Sequence, residues 1–266
     1  NMRFKNASKR PISSRDKKNH TNKQCEIIWQ LPISINKCAV LHLGRKNVCN
    51  SYALNNVNLP NVTEFNDLGI SIDSNLRFTR HHRCMVNKAH HPAAIILKTF
   101  CSRDPLLLFR AFTVYVRPLL EYCSPVWAPV YKSDIELIER VQRRFTKRLV
   151  GLRNFSYVER LSSLNAETLE LRRLKQDLVL IHKILHNLVS IDLDEYFCLN
   201  EFSNTRGHNL KLVKPICNNN VRQFSFACRR IDAWNFLPVQ AVNSQSAAGF
   251  KYAIKSVNFS KFLLIK

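Results

Sequence analysis

Apolar side chains recur every three or four residues through the second half of this chain, and in short extended runs before it. Leu108, Phe112, Tyr115 and Leu119 follow one another at spacings of four, three and four and predict one helical face. Asp104-Pro105 opens that helix with a capping carboxylate and a ring that pre-sets the first φ angle. Arg117-Pro118 should kink or stop it, because proline lacks the amide proton the ladder needs. Residues 119 to 129 are apolar and punctuated by proline, and read as a packed corner. A second helix is expected from Ser133, with Ser133 and Glu136 as a capping box. On a helical wheel Ile138, Val141, Phe145 and Leu149 fall within an arc of roughly 80°, and Arg140, Arg143, Arg144 and Lys147 within about 100° nearly opposite. Ser156 and Glu159 cap a short helix carrying Leu161 and Leu164. The next helix should be the longest, with Leu171, Leu174, Leu178, Ile181, Leu185 and Leu188 on one stripe. That stripe suits a coiled coil or a bundle; Val179, Leu180 and Ile184 widen it and favour bundle core.

Ahead of these helices the pattern is extended. Residues 38 to 43 form a short apolar run closed by Gly44. Tyr52-Ala53-Leu54 and Val57-Asn58-Leu59 flank Asn55-Asn56, a two-residue hairpin turn, since Asn tolerates positive φ. Residues 62 to 73 add a third extended piece. The fold class is α+β: a small antiparallel β region, a mostly helical bundle, and a mixed C-terminal region. The divisions fall at 1–24, 25–75, 76–190 and 191–266.

Composition adds a partner. A net charge of +22 over 266 residues points to polyanions, nucleic acid first. In the second predicted helix Asp134, Glu136 and Glu139 lie at the N-terminal end, so the later cations have no acidic neighbour at i±4. We read that face, with Arg148, as a nucleic-acid contact ahead of plain solvation. Residues 1 to 24 carry eight Lys/Arg and one acid and cannot bury enough surface to order themselves. Nine cysteines, without a paired C-x-x-C, suggest free thiols. Cys198, His208, Cys217 and Cys228 are too widely spaced for a zinc knuckle. Neither His81-His82 nor His90-His91 has the i, i+4 spacing that puts two imidazoles on one helix face, so metal is not expected there. No apolar run approaches the roughly 20 residues needed to span a bilayer, so no membrane partner is expected.

Further residues carry a resemblance. Arg117-Pro118-x-Leu120-Glu121-Tyr122-x-Ser124-x-Val126-Trp127, then Ile138-Glu139-x-Val141-Gln142-Arg143-Arg144, then Gly151-Leu152-Arg153 are similar to the region downstream of the polymerase active site in reverse transcriptases of non-LTR retrotransposons, of the jockey-like and chicken-repeat-like kind. Likeness extends, with gaps, from about Trp29 to Lys251, and includes Phe78-x-x-His81, Arg172-Arg173, Asp177, Arg229 and Trp234-Asn235-x-Leu237-Pro238. The resemblance implies that residues 25–75 are the end of a palm and residues 76–190 a thumb-like bundle. Asp67, Leu68 and Gly69 match the segment that steadies the primer end. Lys37 aligns with a lysine proposed to assist pyrophosphate departure, and is equally readable as a surface lysine. Residues 76 to 101 are a helix in the family; here His82 replaces an apolar residue and His90-His91-Pro92 is expected to interrupt the helix. Ser34 stands where the family usually has asparagine.

Reverse transcriptases hold two magnesium ions with carboxylates that include an adjacent Asp-Asp pair. None of the nine aspartates here is adjacent to another. No catalytic residue and no metal ligand is therefore assigned, and magnesium is expected only with a palm lying upstream. A start at Asn1 fits a fragment. The expected function is to grip a template–primer duplex without reading sequence, with that upstream palm as the second partner. The alternatives are a domesticated helical adaptor binding through the stripe of residues 171 to 188, and a polymerase of which this is one piece.

Overall fold

The structure is a computed structural model that describes residues 33–44, 47–200 and 207–265. The expectations for residues 1–24 and for the start of the resemblance at about Trp29 lie outside these residues. The chain is α+β, about half helical, and divides into two compact units, Asn1–Leu76 and Arg77–Lys266.

Among the described residues of the smaller unit there are three two-stranded ladders. β2 (Ala53–Leu54) and β3 (Val57–Asn58) form the hairpin, with Asn55 and Asn56 at φ 48° and 62°. The third extended piece is two strands: β5 (Glu64–Asp67) turns through Leu68 and Gly69 into antiparallel β6 (Ile70–Asp73). Both turn residues have positive φ, 48° and 83°, and glycine makes the second of them cheap. The remaining ladder, β1 (Val40–Leu41) with β4 (Asn61–Val62), is parallel, so the β region is not wholly antiparallel. Leu54 and Ile70 are the only buried apolar residues among those described in this unit.

The larger unit begins with α1 (Thr79–Thr99), which is the longest helix, in place of the one expected around residues 171 to 188. Pro92 sits inside α1 without ending it. Lys88, whose carbonyl would have accepted the missing amide proton, is on the exposed face, where water can take that bond. α2 (Pro105–Tyr115) starts as predicted: the Asp104 carboxylate accepts from the amides of Leu106 and Leu107 at 3.2 Å each. Leu108 and Phe112 are buried, but Tyr115 and Leu119 are exposed. The helix breaks at Val116 before Pro118, and α3 (Arg117–Glu121) restarts in a new phase that buries Val116 and Leu120 instead. α4 (Ser124–Trp127) completes the corner, with Trp127 fully buried between His81 and His82 of α1 at ring-centroid distances of 5.4 and 5.5 Å.

α5 (Lys132–Lys147) starts one residue before Ser133 and has no capping box. Asp134 points inward, accepting from the Thr79 hydroxyl at 3.2 Å and lying 3.4 Å from Nδ1 of His82. Ile138, Val141, Phe145 and Leu149 are buried, as their spacing requires. α6 (Tyr157–Ser163) has the predicted capping box of Ser156 and Glu159. α7 (Leu169–Leu185) begins on a buried carboxylate from another helix. Glu139 accepts from the Leu169 amide at 3.1 Å, the Glu170 amide at 3.3 Å and the Tyr157 hydroxyl, while Thr168 takes the Leu171 amide at 3.2 Å. The first amides of α7, which no helix can satisfy internally, are thus all bonded.

The stripe of α7 is bundle core. Leu174, Leu178 and Ile181 pack with Phe197, Leu212, Trp234, Phe250 and Ile254, so one core runs across residue 190. Leu188 lies beyond the helix and is exposed. The short helices α8 (Asn220–Gln223), α9 (Phe226–Arg229), α10 (Ile231–Asn235), α11 (Val239–Val242) and α12 (Ala247–Ala253) form the rest of this layer. Asp177, fully buried in α7, ties them down: it accepts from Arg229 at 2.9 and 3.0 Å and from Arg230 at 2.9 Å. Trp234 is a core anchor, its indole N–H donating to the Leu210 carbonyl at 2.7 Å.

Two predictions follow from this packing. Glu139→Ala strands two helix-start amides and one hydroxyl, each costing about 1 to 3 kcal/mol. Urea unfolding should show a loss of about 3 to 5 kcal/mol, and a loss below about 1 kcal/mol would contradict the capping role. The second concerns acid. Burial, with the charges of His82 and Lys88, lowers the pKa of His81 to about 4, and burial also lowers those of His82, His182 and His208. Unfolded imidazoles titrate near 6.5, so below that pH the unfolded chain binds more protons and gains on the folded one. Stability is complete above about pH 6.5 and falls progressively toward pH 4. The melting midpoint should drop between pH 7.5 and 5, and His81→Phe should flatten part of that slope; a level midpoint would refute it.

Candidate nucleic-acid interface

The buried side of α5 decides what its other side presents. With Ile138, Val141 and Phe145 turned inward, Arg140, Arg144, Lys147 and the C-cap residue Arg148 are exposed. Among the described residues none of these four pairs with a carboxylate, whereas Lys132 and Glu136 at the other end of the helix lie 3.9 Å apart. From Arg140 to Lys147 the strip is about 10 Å long at about 1.5 Å of rise per residue. That length reaches neighbouring phosphates on one backbone and no further.

Arg143 behaves differently. It is half-buried, with its guanidinium 4.9 Å from the centre of the Tyr157 ring, and its Nε has no hydrogen-bond partner. Arg160 of α6 lies 5.5 Å from the centre of the same ring and donates to Thr146 at 3.2 Å. Tyr157 itself is held by Glu139 and by Gln142, whose amide donates to the phenol at 3.0 Å. Burial, together with the adjacent Glu139 carboxylate, raises the Tyr157 pKa, so the ring stays a neutral phenol. Arg143 therefore packs more than it binds, and the α5 wheel alone does not reveal this, since Tyr157 lies on another helix.

The opposite edge of the strip acquires a neighbour that the sequence reading did not include. Arg144 and Arg148 line a small cleft of about 90 Å³ with His90, Ala93 and Leu97 of α1. Burial lowers the pKa of His90, and the charges of Arg144 and Arg148 lower it further. The periodicity of α1 could have placed His90 near another helix, but not near which one. Just beyond α5, Gly151 at φ 77° turns the chain so that Leu152 is buried, while Val150, Arg153 and Phe155 stay exposed.

The other predicted site residues belong to the smaller unit. Lys37 is exposed at the end of a 3-10 turn, Ile35–Lys37. Asp67, Leu68 and Gly69 form the tip of the β5–β6 hairpin, with Leu68 and Gly69 exposed and Asp67 half-buried. Cys217 and Cys228 lie with their sulfurs 3.8 Å apart, whereas His208 donates to the Trp234 carbonyl at 3.2 Å. Among the described residues no three His, Cys, Asp or Glu side chains are grouped to hold a metal ion, and no helix is long and apolar enough to cross a membrane.

Comparison with known proteins supplies no activity. No family model and no solved structure matches the chain. An uncharacterized protein of Caenorhabditis elegans, B0403.1, is 32% identical over 123 residues, which cover 45% of this chain. Those residues are 62% of the relative, so the match spans about three fifths of its length.

Proposed function

We propose that this chain binds duplex nucleic acid through the exposed face of α5 without reading base sequence. On this reading it is the template–primer-gripping part of a non-LTR retrotransposon reverse transcriptase whose catalytic palm lies upstream. The observation that carries the proposal is the strip of Arg140, Arg144, Lys147 and Arg148, four exposed cations free of carboxylate partners among the described residues. Cations in that state hold phosphates as well as they hold water, and phosphate contacts position a protein without specifying sequence. The net charge of +22 adds long-range attraction. His90 beside Arg144 and Arg148 gives the strip a second wall, which suits a backbone lying along it. Lys37 and the Asp67-Leu68-Gly69 turn are assigned to the primer side on the resemblance alone.

Among the described residues no carboxylates are grouped as a two-metal centre would need, and no step through magnesium is assigned to this chain. An adaptor working through the stripe of residues 171 to 188 is disfavoured, because Leu174, Leu178 and Ile181 are already occupied by the chain's own core.

The binding test is salt dependence. Replacing Arg140, Arg144, Lys147 and Arg148 by Gln keeps helix propensity and leaves Arg143 on Tyr157. Four lost phosphate contacts should make the slope of log affinity against log salt shallower by about 3 to 4, with weaker binding on every sequence. An unchanged slope would assign any binding to other basic segments. Extension of a primed template with magnesium and all four nucleotides should give no incorporation by this chain alone; incorporation above a buffer control would overturn the assignment of catalysis to an upstream palm.

A further inference from the structure

Arg173, on the first turns of α7, is 1% exposed, and neither Nη1 nor Nη2 has a hydrogen-bond partner. A guanidinium taken out of water without acceptors is among the costliest groups a protein can hold. The carboxylates whose charges act on it, Glu139, Glu170 and Glu121, are committed elsewhere, Glu121 to Arg172. Glu170 accepts from the amides of Leu264 and Ile265 at 2.8 and 3.0 Å. Glu139 is taken by the start of α7 and by Tyr157, and Asp177 by Arg229 and Arg230. Arg173 lines a cleft of about 240 Å³ within the larger unit. Four cations line it, Arg173, Lys214, Arg229 and Arg230; Lys214 is paired with Asp232, and Arg229 and Arg230 share Asp177, so Arg173 is the lining cation whose terminal nitrogens are left without a partner. Phe224, Phe262 and Ile135 supply an apolar part of the wall.

We propose that this cleft is a binding site for a phosphate group, most tightly when the phosphate is carried on a small organic molecule. An unpartnered guanidinium beside three further cations favours an anion such as a phosphomonoester, which carries about −1.5 to −2 at neutral pH. Two free guanidinium nitrogens side by side form the fork that grips two oxygens of one phosphate. The cleft is larger than a tetrahedral anion needs, and the phenylalanines give an attached ring an apolar surface. The site is separate from the α5 face and stands whether or not that face binds nucleic acid.

The test is calorimetric titration of the full chain with inorganic phosphate, adenosine monophosphate and acetate at one ionic strength. Phosphate should bind at least tenfold more tightly than acetate, and adenosine monophosphate more tightly still; equal affinity for the two phosphates would assign the site to free phosphate. Arg173→Gln should weaken binding at least tenfold, and Lys214→Gln, at a half-exposed position, several-fold without changing the melting midpoint. Should Arg173→Gln fail to fold, the Lys214→Gln result and the rate of Cys228 alkylation decide, since Cys228 lines the cleft and bound phosphate should slow its modification. The quadruple Gln variant of α5 should bind phosphate normally, which separates this site from the nucleic-acid interface. Acetate binding as well as phosphate, or phosphate binding indifferent to Lys214→Gln with Cys228 unprotected, would overturn the proposal.

Discussion

A carboxylate enclosed by protein must find every donor it needs among its neighbours, and Glu139 is where this fold meets that demand. Burial pushes its pKa upward, and Tyr157, the charge of Arg173 and the amides of Leu169 and Glu170 pull the other way. To supply those donors, α6 must bring Tyr157 and α7 must bring its own first turn to the same point on α5. The relative placement of three helices is thereby set by one side chain. With Glu139 and its neighbours Ile138 and Gln142 held inward, the rotation of α5 is settled, and Arg140, Arg144 and Lys147 have nowhere to face but out.

The same economy governs the charge of the whole larger unit. Asp134, Glu139, Glu170 and Asp177 are buried, against Arg160 and Arg173 among the arginines and lysines. More acid than base is consumed inside, so the exterior is more one-sided than the composition alone conveys. Several positions that carry the sequence resemblance are inside this network: Glu121 receives Arg172, whose Nη2 donates at 3.0 Å, Asp177 receives Arg229, and His81 packs on Trp127. These residues build the scaffold, whereas Arg144, which also carries the resemblance, is exposed with Arg140, Lys147 and Arg148.

Features set by neighbours along the chain were legible in the sequence. The Asn55-Asn56 turn, the Asp104 and Ser156 caps and the packing stripes of α5 and α7 each depend on residues within a few positions of one another. What misled was periodicity carried through a break: Tyr115 and Leu119 continue the count of Leu108 and Phe112, but Pro118 restarts the helix in another phase. Pro92 misled in the opposite sense, since its cost depends on which face of α1 its lost partner occupies. The candidate interface was half legible. Four cations could be placed on one face by counting, yet the diversion of Arg143 to Tyr157 and the approach of His90 come from other helices. The Arg173 cleft was not legible at all, because its walls are separated by dozens of residues and its key property is a missing bond.

The closure of α7 by distant residues also has a consequence in time. Glu170 receives amides lying 94 and 95 positions later in the chain. At a synthesis rate of about 5 to 20 residues per second, a ribosome needs roughly 5 to 20 seconds to get from one to the other. For that interval the Glu170 carboxylate, and the apolar stripe that needs Trp234 and Phe250, wait without their partners. The larger unit therefore matures in two acts: α1 to α6 can close on one another early, while the far side of α7 is a landing place held open for the nascent chain still to come.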